Sequence, residues 1–475
     1  MQIEVHRSYT STRPPDDAHP YRSGAWRPQT TEYNAWDLDV DGRIPNDLAG
    51  TYLRNTENPL LDSLGRYHPF DGDGMLHAIT FVDGEASYRN RFVRTDGLAA
   101  ELEAREPLWA GLAERPTKTK VDYGWGARGL MKDASSTDVT VHRGLALSSF
   151  YMCGELYRLD PATLTDEGRE TWRGRFPAEG VSAHPKVDPR TGELLFFNYG
   201  TEAPYMHYGV VSDEGELVHY TDIPLPGSRL PHDMAFTENY VILNDFPLYW
   251  DPEALAAGHY VNRMHDEPSR FAVVPRRGTA ADIMWFEADP TFVLHWNNAY
   301  EDADGRIVLD GFFQENPAPA PRPDLTTDEN IFRYLDLYTM GSKIHRWTFD
   351  PATGHTSEEH LDERILEFPA INPDRAGLPY RYAYYALPCS GWFGFEGFAK
   401  HDLHTGEITT VAFPAGVFGS EAVVVPRPGS GAEDDAYLLT YLSDCNADAS
   451  TCAIYDAADI TAGPLATVAL PERIS

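Results

Sequence analysis

The chain has 475 residues, 42% hydrophobic and 24% charged, the balance of a globular protein with a sizeable core. Its 73 acidic and 39 basic side chains give a formal charge of −34, with the acids scattered along the chain rather than gathered in a tail. Such a surface repels polyanions and argues against nucleic acid as a partner. The four cysteines (Cys153, Cys389, Cys445, Cys452) form no CxxC pair, and the opening MQIEVHRSYTSTRPPDD has no apolar core. No run approaches the roughly 18 apolar residues of a membrane span, so the expectation is a cytoplasmic protein with reduced thiols.

In chain order, DGDG at 71–74 predicts a tight hairpin turn, because the remaining ligand spacing of a calcium loop is missing. A helix is predicted over 97–115 (GLAAELEAREPLWAGLAER) and a shorter one over 252–257. Elsewhere short β-rich runs dominate: LLFFNYG (194–200), YVILNDF (240–246), RIVLDGFF (306–313) and AYLLTYLS (436–443). Polar turns punctuate them: DPATLT from Asp160, DPRTGEL from Asp188, SDEGELV from Ser212, DPATGHT from Asp350 and HDLHTGEI from His401. An Asp/Gly turn followed by a strand specifies a hairpin. Its repetition over most of the chain predicts an all-β fold of propeller blades around an axis. The Pro-rich ENPAPAPRPDL (315–325) reads as a loop, not a linker, so residues 1–475 are expected to form one domain. Cys445 and Cys452 flank a polar turn, and plain thiols are expected there.

Three of the 17 histidines stand apart at strand edges: His184 in VSAHPKVDP, His232 in RLPHDMAF and His295 in TFVLHWNNAYE. They lie 48 and 63 residues apart, about one blade each, and equivalent positions of successive blades converge on a propeller axis. Taken singly, each is more often a satisfied packing residue than a ligand. No nucleotide loop (GxGxxG after a strand, or GxxxxGK[ST]) and no GxSxG elbow is present.

RNTENP (54–59) and YHPFDGDGMLHAITF (67–81) resemble the opening blade of carotenoid cleavage oxygenases. SAHPKVDPRTGELLFF, PHDMAFTENYVI, LHWNNAYE, LEFPAIN (366–372) and GSEAVVVPRPG (419–429) follow in that family's order, from about Arg43 to Pro471. The resemblance implies a seven-bladed propeller with a helical and loop dome over an axial Fe(2+). It assigns the metal to His184, His232 and His295, and gives Glu367 and Glu421 the task of accepting hydrogen bonds from ligand rings. It implies a dioxygenase that cleaves a conjugated C=C bond with O2 into two carbonyl products, with no acid–base residue beyond the metal ligands.

Two departures from the family pattern stand out. The family's fourth histidine falls beyond ATVALPERIS, whereas the last histidine here, His404, sits in a hairpin turn; the sequence is expected to stop short of that ligand. Where the family carries another glutamate, LALSSFYMCGELYRLDP places Ser148 and Ser149, and Glu155, the nearest acid, is out of register. Ser148 and Leu112 also replace the lysine and tyrosine of the stilbene-cleaving branch, which favours an apocarotenoid. Phe70, Leu112, Phe150, Leu294 and Trp296 are candidate substrate-lining residues, each equally readable as core. The alternatives are a stilbene or phenylpropanoid oxygenase (lignostilbene, resveratrol or isoeugenol type), a sugar hydrolase using paired carboxylates, and a metal-free binding propeller. PLWAGLA (107–113) is a candidate for peripheral membrane contact or for packing inside the dome.

Overall fold

The structure, a computed structural model, describes residues 1–127, 130–250 and 262–474; the helix predicted over 252–257 lies outside these. Each polar turn identified in the sequence reverses the chain into an antiparallel neighbour, and seven such meanders follow one another. Blade 1 is built on Gly50–Glu57, Gly74–Val82 and Glu85–Phe92. Blades 2 to 5 have four strands each. Blades 6 and 7 begin at Glu367–Ile371 and Val423–Pro426 and are bridged by the short strand Val417–Gly419. The all-β, seven-bladed expectation is met.

The N-terminal segment closes the ring. Thr31–Trp36 pairs with Glu85–Phe92 on the outside of blade 1, and Val40–Gly42 pairs with Pro464–Ala469 on the outside of blade 7. One short stretch of chain thus staples the first blade to the last, and the staple covers strand edges that would otherwise be open to association.

Blade strands are apolar where both faces are covered. Leu194–Tyr199 (LLFFNY) is buried at every position, as a strand must be when adjacent blades pack on both sides. The outer strand His355–Ile365 (HTSEEHLDERI) is mostly exposed and correspondingly polar. Between blades 4 and 5 the seam is aromatic: Phe271, Trp296, Trp347 and Phe349 interlock with ring centroids 5.0–6.0 Å apart.

Excursions from the blades cover one end of the axis. Within blade 5 the chain leaves Ile307–Gln314, passes the Pro-rich loop, and forms Thr327–Phe332 and Leu337–Met340 before rejoining at Ser342–Asp350. The helix predicted over 97–115 is shorter than expected. It spans Asp96–Ala104, starts with the Thr95 hydroxyl accepting Leu98 N–H at 3.0 Å, and ends where Arg105 takes φ +57°. Pro107 follows directly and has no N–H with which to extend it. The rest of that segment is cover: Trp109 and Ala110 are buried, so PLWAGLA turns apolar surface inward.

DGDG at 71–74 is not a hairpin turn. Pro69–Asp71 is a helical turn closed by a reciprocal His68–Asp71 cap, and Gly74 already begins a strand. Cys445 and Cys452 do not face each other, because the register pairs Cys452 with Tyr441; the four cysteines are free thiols. Among the described residues, no helix is long and apolar enough to cross a membrane.

A net charge of −34 strains the folded state by self-repulsion, whereas individual surface ion pairs contribute little. Raising NaCl from about 0.01 to about 1 M shortens the screening length from about 30 to about 3 Å. The melting temperature should therefore rise with salt in calorimetry. A fall would mean that attractive ion pairs dominate.

Candidate metal centre

Six side chains occupy the same place in successive blades, at or just before the start of the innermost strand. Asp138 opens Asp138–His142 in blade 2, and His184 precedes Lys186–Val187 in blade 3. His232 precedes Ala235–Phe236, His295 precedes Trp296–Glu301, Glu367 opens Glu367–Ile371, and Glu421 precedes Val423–Pro426. Repetition of one position around a ring turns separations of 48 and 63 residues into contact. Locally, Pro185 restricts His184 to extended backbone.

The three imidazoles converge. Their ligating nitrogens all lie within 4.8 Å of one another, and His184 Nε2 is 3.1 Å from His232 Nε2. Two nitrogens bound at right angles to one metal at about 2.1 Å lie roughly 3 Å apart, so this spacing suits a shared ion. Ring centroids are 4.9, 5.0 and 5.2 Å apart, in edge-to-face arrangement.

Carboxylates fix two of the rings. His295 donates from Nδ1 to Glu367 Oε2 at 2.7 Å, and His184 donates from Nδ1 to Asp138 Oδ2 at 3.0 Å. An ionised carboxylate only accepts, so each Nδ1 carries the proton and each Nε2 keeps its lone pair for the centre. Glu367 is fully buried, and its Oε2 also accepts Phe368 N–H at 2.5 Å. Phe368 is held at φ +53°, a strained conformation for a bulky residue, which sets its ring 4.5 Å from that of His295.

Burial pushes the His232 pKa well down, and the neighbouring His184 and His295 add to the effect, so this ring stays neutral. At His295 burial acts in the same downward direction as the largest single influence, but Glu367, Asp233 and Glu421 together outweigh it and raise the pKa. Neutral imidazoles with carboxylate-anchored rings are the donor set of a divalent transition metal.

Asp233, 2% exposed, ties the three segments together. It adjoins His232, pairs through Oδ1 with Lys186 Nζ at 2.8 Å, and accepts Trp296 N–H on Oδ2 at 3.0 Å. Lys186 lies two residues after His184, and Trp296 directly follows His295.

Two cavities meet at His232. One, of about 110 Å³, is lined by His184, His232 and His295 together with Arg54, Glu57 and Glu421. The other, of about 300 Å³, runs beneath the cover, walled by Leu112, Leu230, Ile331, Leu335 and Met340. Phe70, Tyr151, His232, Leu294 and Phe393 belong to both.

Of the candidate substrate-lining residues, Phe70, Leu112 and Leu294 line these cavities. Asp71 Oδ1 secures Leu112 by accepting its N–H at 2.8 Å. Phe150 and Trp296 do not line them. Phe150 is buried beside a separate small cavity while its neighbour Tyr151 faces the centre, and Trp296 is locked in the seam between blades 4 and 5.

Glu421 lines the centre, but the expected bond from its carboxylate to a ligand ring is not the one formed: its carbonyl oxygen accepts Tyr52 O–H at 3.2 Å and Ser420 O–H at 3.0 Å. Glu155 pairs with Arg169 instead of reaching the centre. Ser148 is bound to Ser135 and Asn55, and Ser149 to the Ala183 carbonyl oxygen. Asp138, Asp233, Tyr151 and Phe393 escaped the sequence reading. The strand-start position shared with the histidines was the one signal that could have found Asp138.

A closed propeller carrying a histidine cluster on its axis, beside a largely apolar cavity under the cover, defines a propeller with a candidate metal site. The family profile described as retinal pigment epithelial membrane protein matches residues 26–475. The apocarotenoid-15,15'-oxygenase of Synechocystis sp. is 32% identical over 492 residues, covering 98% of this chain and 95% of that protein. The crystal structure of Pseudomonas brassicacearum lignostilbene dioxygenase superposes with a TM-score of 0.83 at 27% identity, over 97% and 98% of the two chains. Cobalt-substituted Synechocystis apocarotenoid oxygenase gives a TM-score of 0.82 at 30% identity, over 94% and 95%. The chain belongs to the carotenoid cleavage oxygenase family and is an enzyme of that class.

Two predictions follow from the charges around the axis. Removing the Asp233 carboxylate strands a partly buried ammonium and a buried N–H, so Asp233→Ala should cost about 3 kcal/mol in urea unfolding. A loss below about 1 kcal/mol would deny it this role. Burial pushes Glu57 from 4.5 up to about 8. The folded state then holds a proton that the unfolded chain releases, so stability declines as pH rises from about 4.5 through about 8. In melting curves Glu57→Gln should flatten that decline; an unchanged slope would locate it elsewhere.

Proposed function

We propose that this chain is an Fe(II)-dependent dioxygenase that cleaves a conjugated C=C bond of an apolar alkene with O2, giving two carbonyl products. The observation that carries this reading is the junction of the two cavities at His232, one lined by all three histidines and the other walled largely by apolar side chains. His184, His232 and His295 would hold the metal, with Asp138 and Glu367 holding two of the rings. When bound, ferrous iron supplies the electrons that activate O2. The protein's share is positioning. Leu294, Phe70 and Phe393 set the alkene beside His232, and the cover over the larger cavity excludes water.

An apocarotenoid is the favoured substrate class. An extended polyene needs apolar walls, which the cavity beneath the cover provides, and a relative named apocarotenoid-15,15'-oxygenase supports the choice. One observation favours a phenolic substrate of the stilbene or phenylpropanoid kind. Gln314, 2% exposed, lies in the wall of the larger cavity, and its Oε1 has no hydrogen-bond partner. A buried amide left unpaired costs about 1–3 kcal/mol, a cost that a substrate hydroxyl would remove.

Turnover of an apocarotenal, resveratrol and isoeugenol by iron-loaded protein separates the two. Preference for the apocarotenal by about tenfold or more in kcat/KM supports the first reading; the reverse supports the second. His295→Ala should lose both iron and activity. Full retention of both would overturn the ligand assignment.

A further inference from the structure

We propose that Asp138 is a positioning residue of the metal centre, selecting through His184 which ring nitrogen faces the metal; this rests on the metal reading above. The resemblance expects an acid near 148–149, but Ser148 and Ser149 are there, both bound to other protein groups. A carboxylate lies instead on the neighbouring strand of the same blade, where Asp138 opens the innermost strand and pairs in register with Ser149.

The geometry is specific. Asp138 Oδ2 accepts His184 Nδ1–H at 3.0 Å, while Asp138 Oδ1 accepts Val139 N–H at 2.7 Å, so backbone and imidazole together fix the carboxylate plane. The bond crosses from blade 2 to blade 3 and leaves His184 Nε2 3.1 Å from His232 Nε2. Lys186, which would otherwise draw Asp138 away, is held by Asp233 at 2.8 Å. Among the described residues, Asp138 and Glu367 are the carboxylates that accept from a ring nitrogen of the cluster.

Because a carboxylate accepts and never donates, Asp138 enforces one tautomer of His184, with the proton on Nδ1 and the lone pair on Nε2. Alanine leaves that choice to solvent. Asparagine keeps a carbonyl acceptor but also brings an amide donor and loses the charge.

The test uses the full chain and cobalt(II) as the probe, with affinity read by chelator competition and geometry by the visible cobalt spectrum. Asp138→Ala should weaken cobalt binding by about 10- to 100-fold, and Asp138→Asn by less. In a His184→Ala background, adding Asp138→Ala should have no further effect. Unchanged affinity in Asp138→Ala, or its full effect persisting without His184, would overturn the proposal.

A second measurement needs no metal. In protein labelled with 15N-histidine, the His184 signal, identified by its loss in His184→Ala, should report an Nδ1–H tautomer that Asp138→Ala abolishes. An Nε2–H tautomer in the wild-type protein would overturn the proposal. If wild-type protein takes up no cobalt, the metal reading fails, while the tautomer still decides for or against Asp138.

Discussion

The centre depends on one buried carboxylate that touches no imidazole. Asp233 binds the Lys186 ammonium and the Trp296 N–H, so the segments carrying His184, His232 and His295 share a single anchor. A propeller needs such a device. Its blades are separate sheets with no ladder hydrogen bonds between most of them, so contacts between side chains and innermost strands must set their relative positions. A ligand cluster spread over three blades would blur if each blade drifted by an ångström. The anchor sits within a few residues of every histidine, which keeps the accumulated error small.

The same economy governs the cavities. The blades supply the polar floor at their strand starts, and the excursions supply an apolar roof. Phe70, Leu112, Leu335 and Met340 come from three different excursions yet line one cavity. Their placement is fixed by hydrogen bonds that take no part in the chemistry. Asp71 both caps its own helical turn and holds Leu112 through its backbone, so the roof has defined geometry although little of it is regular helix.

Much of the fold was legible because its signals are local. Asp/Gly turns and alternating strands need only neighbouring residues, and LLFFNYG, YVILNDF and AYLLTYLS became strands at close to their expected limits. The helix over 97–115 was overextended because its apolar spacing continues past Pro107, where the backbone cannot follow. At the centre, the histidines could be picked out by their setting at strand edges. Asp138 is harder to see, since a lone aspartate before VTVH has the look of a turn residue until blades 2 and 3 are placed side by side. Phe150 and Trp296 illustrate the same limit. Whether an aromatic faces a cavity or a seam changes from one residue to the next where a strand begins or ends, and Tyr151 rather than Phe150 turned inward.

Charge balance closes the argument about what the centre can hold. Lys186 compensates Asp233, and burial favours the neutral form of Glu57 at neutral pH. His232 is kept neutral by burial and by its neighbours. The carboxylates in contact with the cluster are then Asp138 and Glu367, each accepting from an imidazole that would ligate in the neutral form. A dication would be drawn to carboxylates held against the rings, where an uncompensated buried charge is costly. The overall charge of −34 has little part in this, because it resides mainly on exposed side chains screened by solvent and salt. On the proposed metal reading, the fit to a doubly charged ion rests on two carboxylates and three rings, not on the acidity of the chain as a whole.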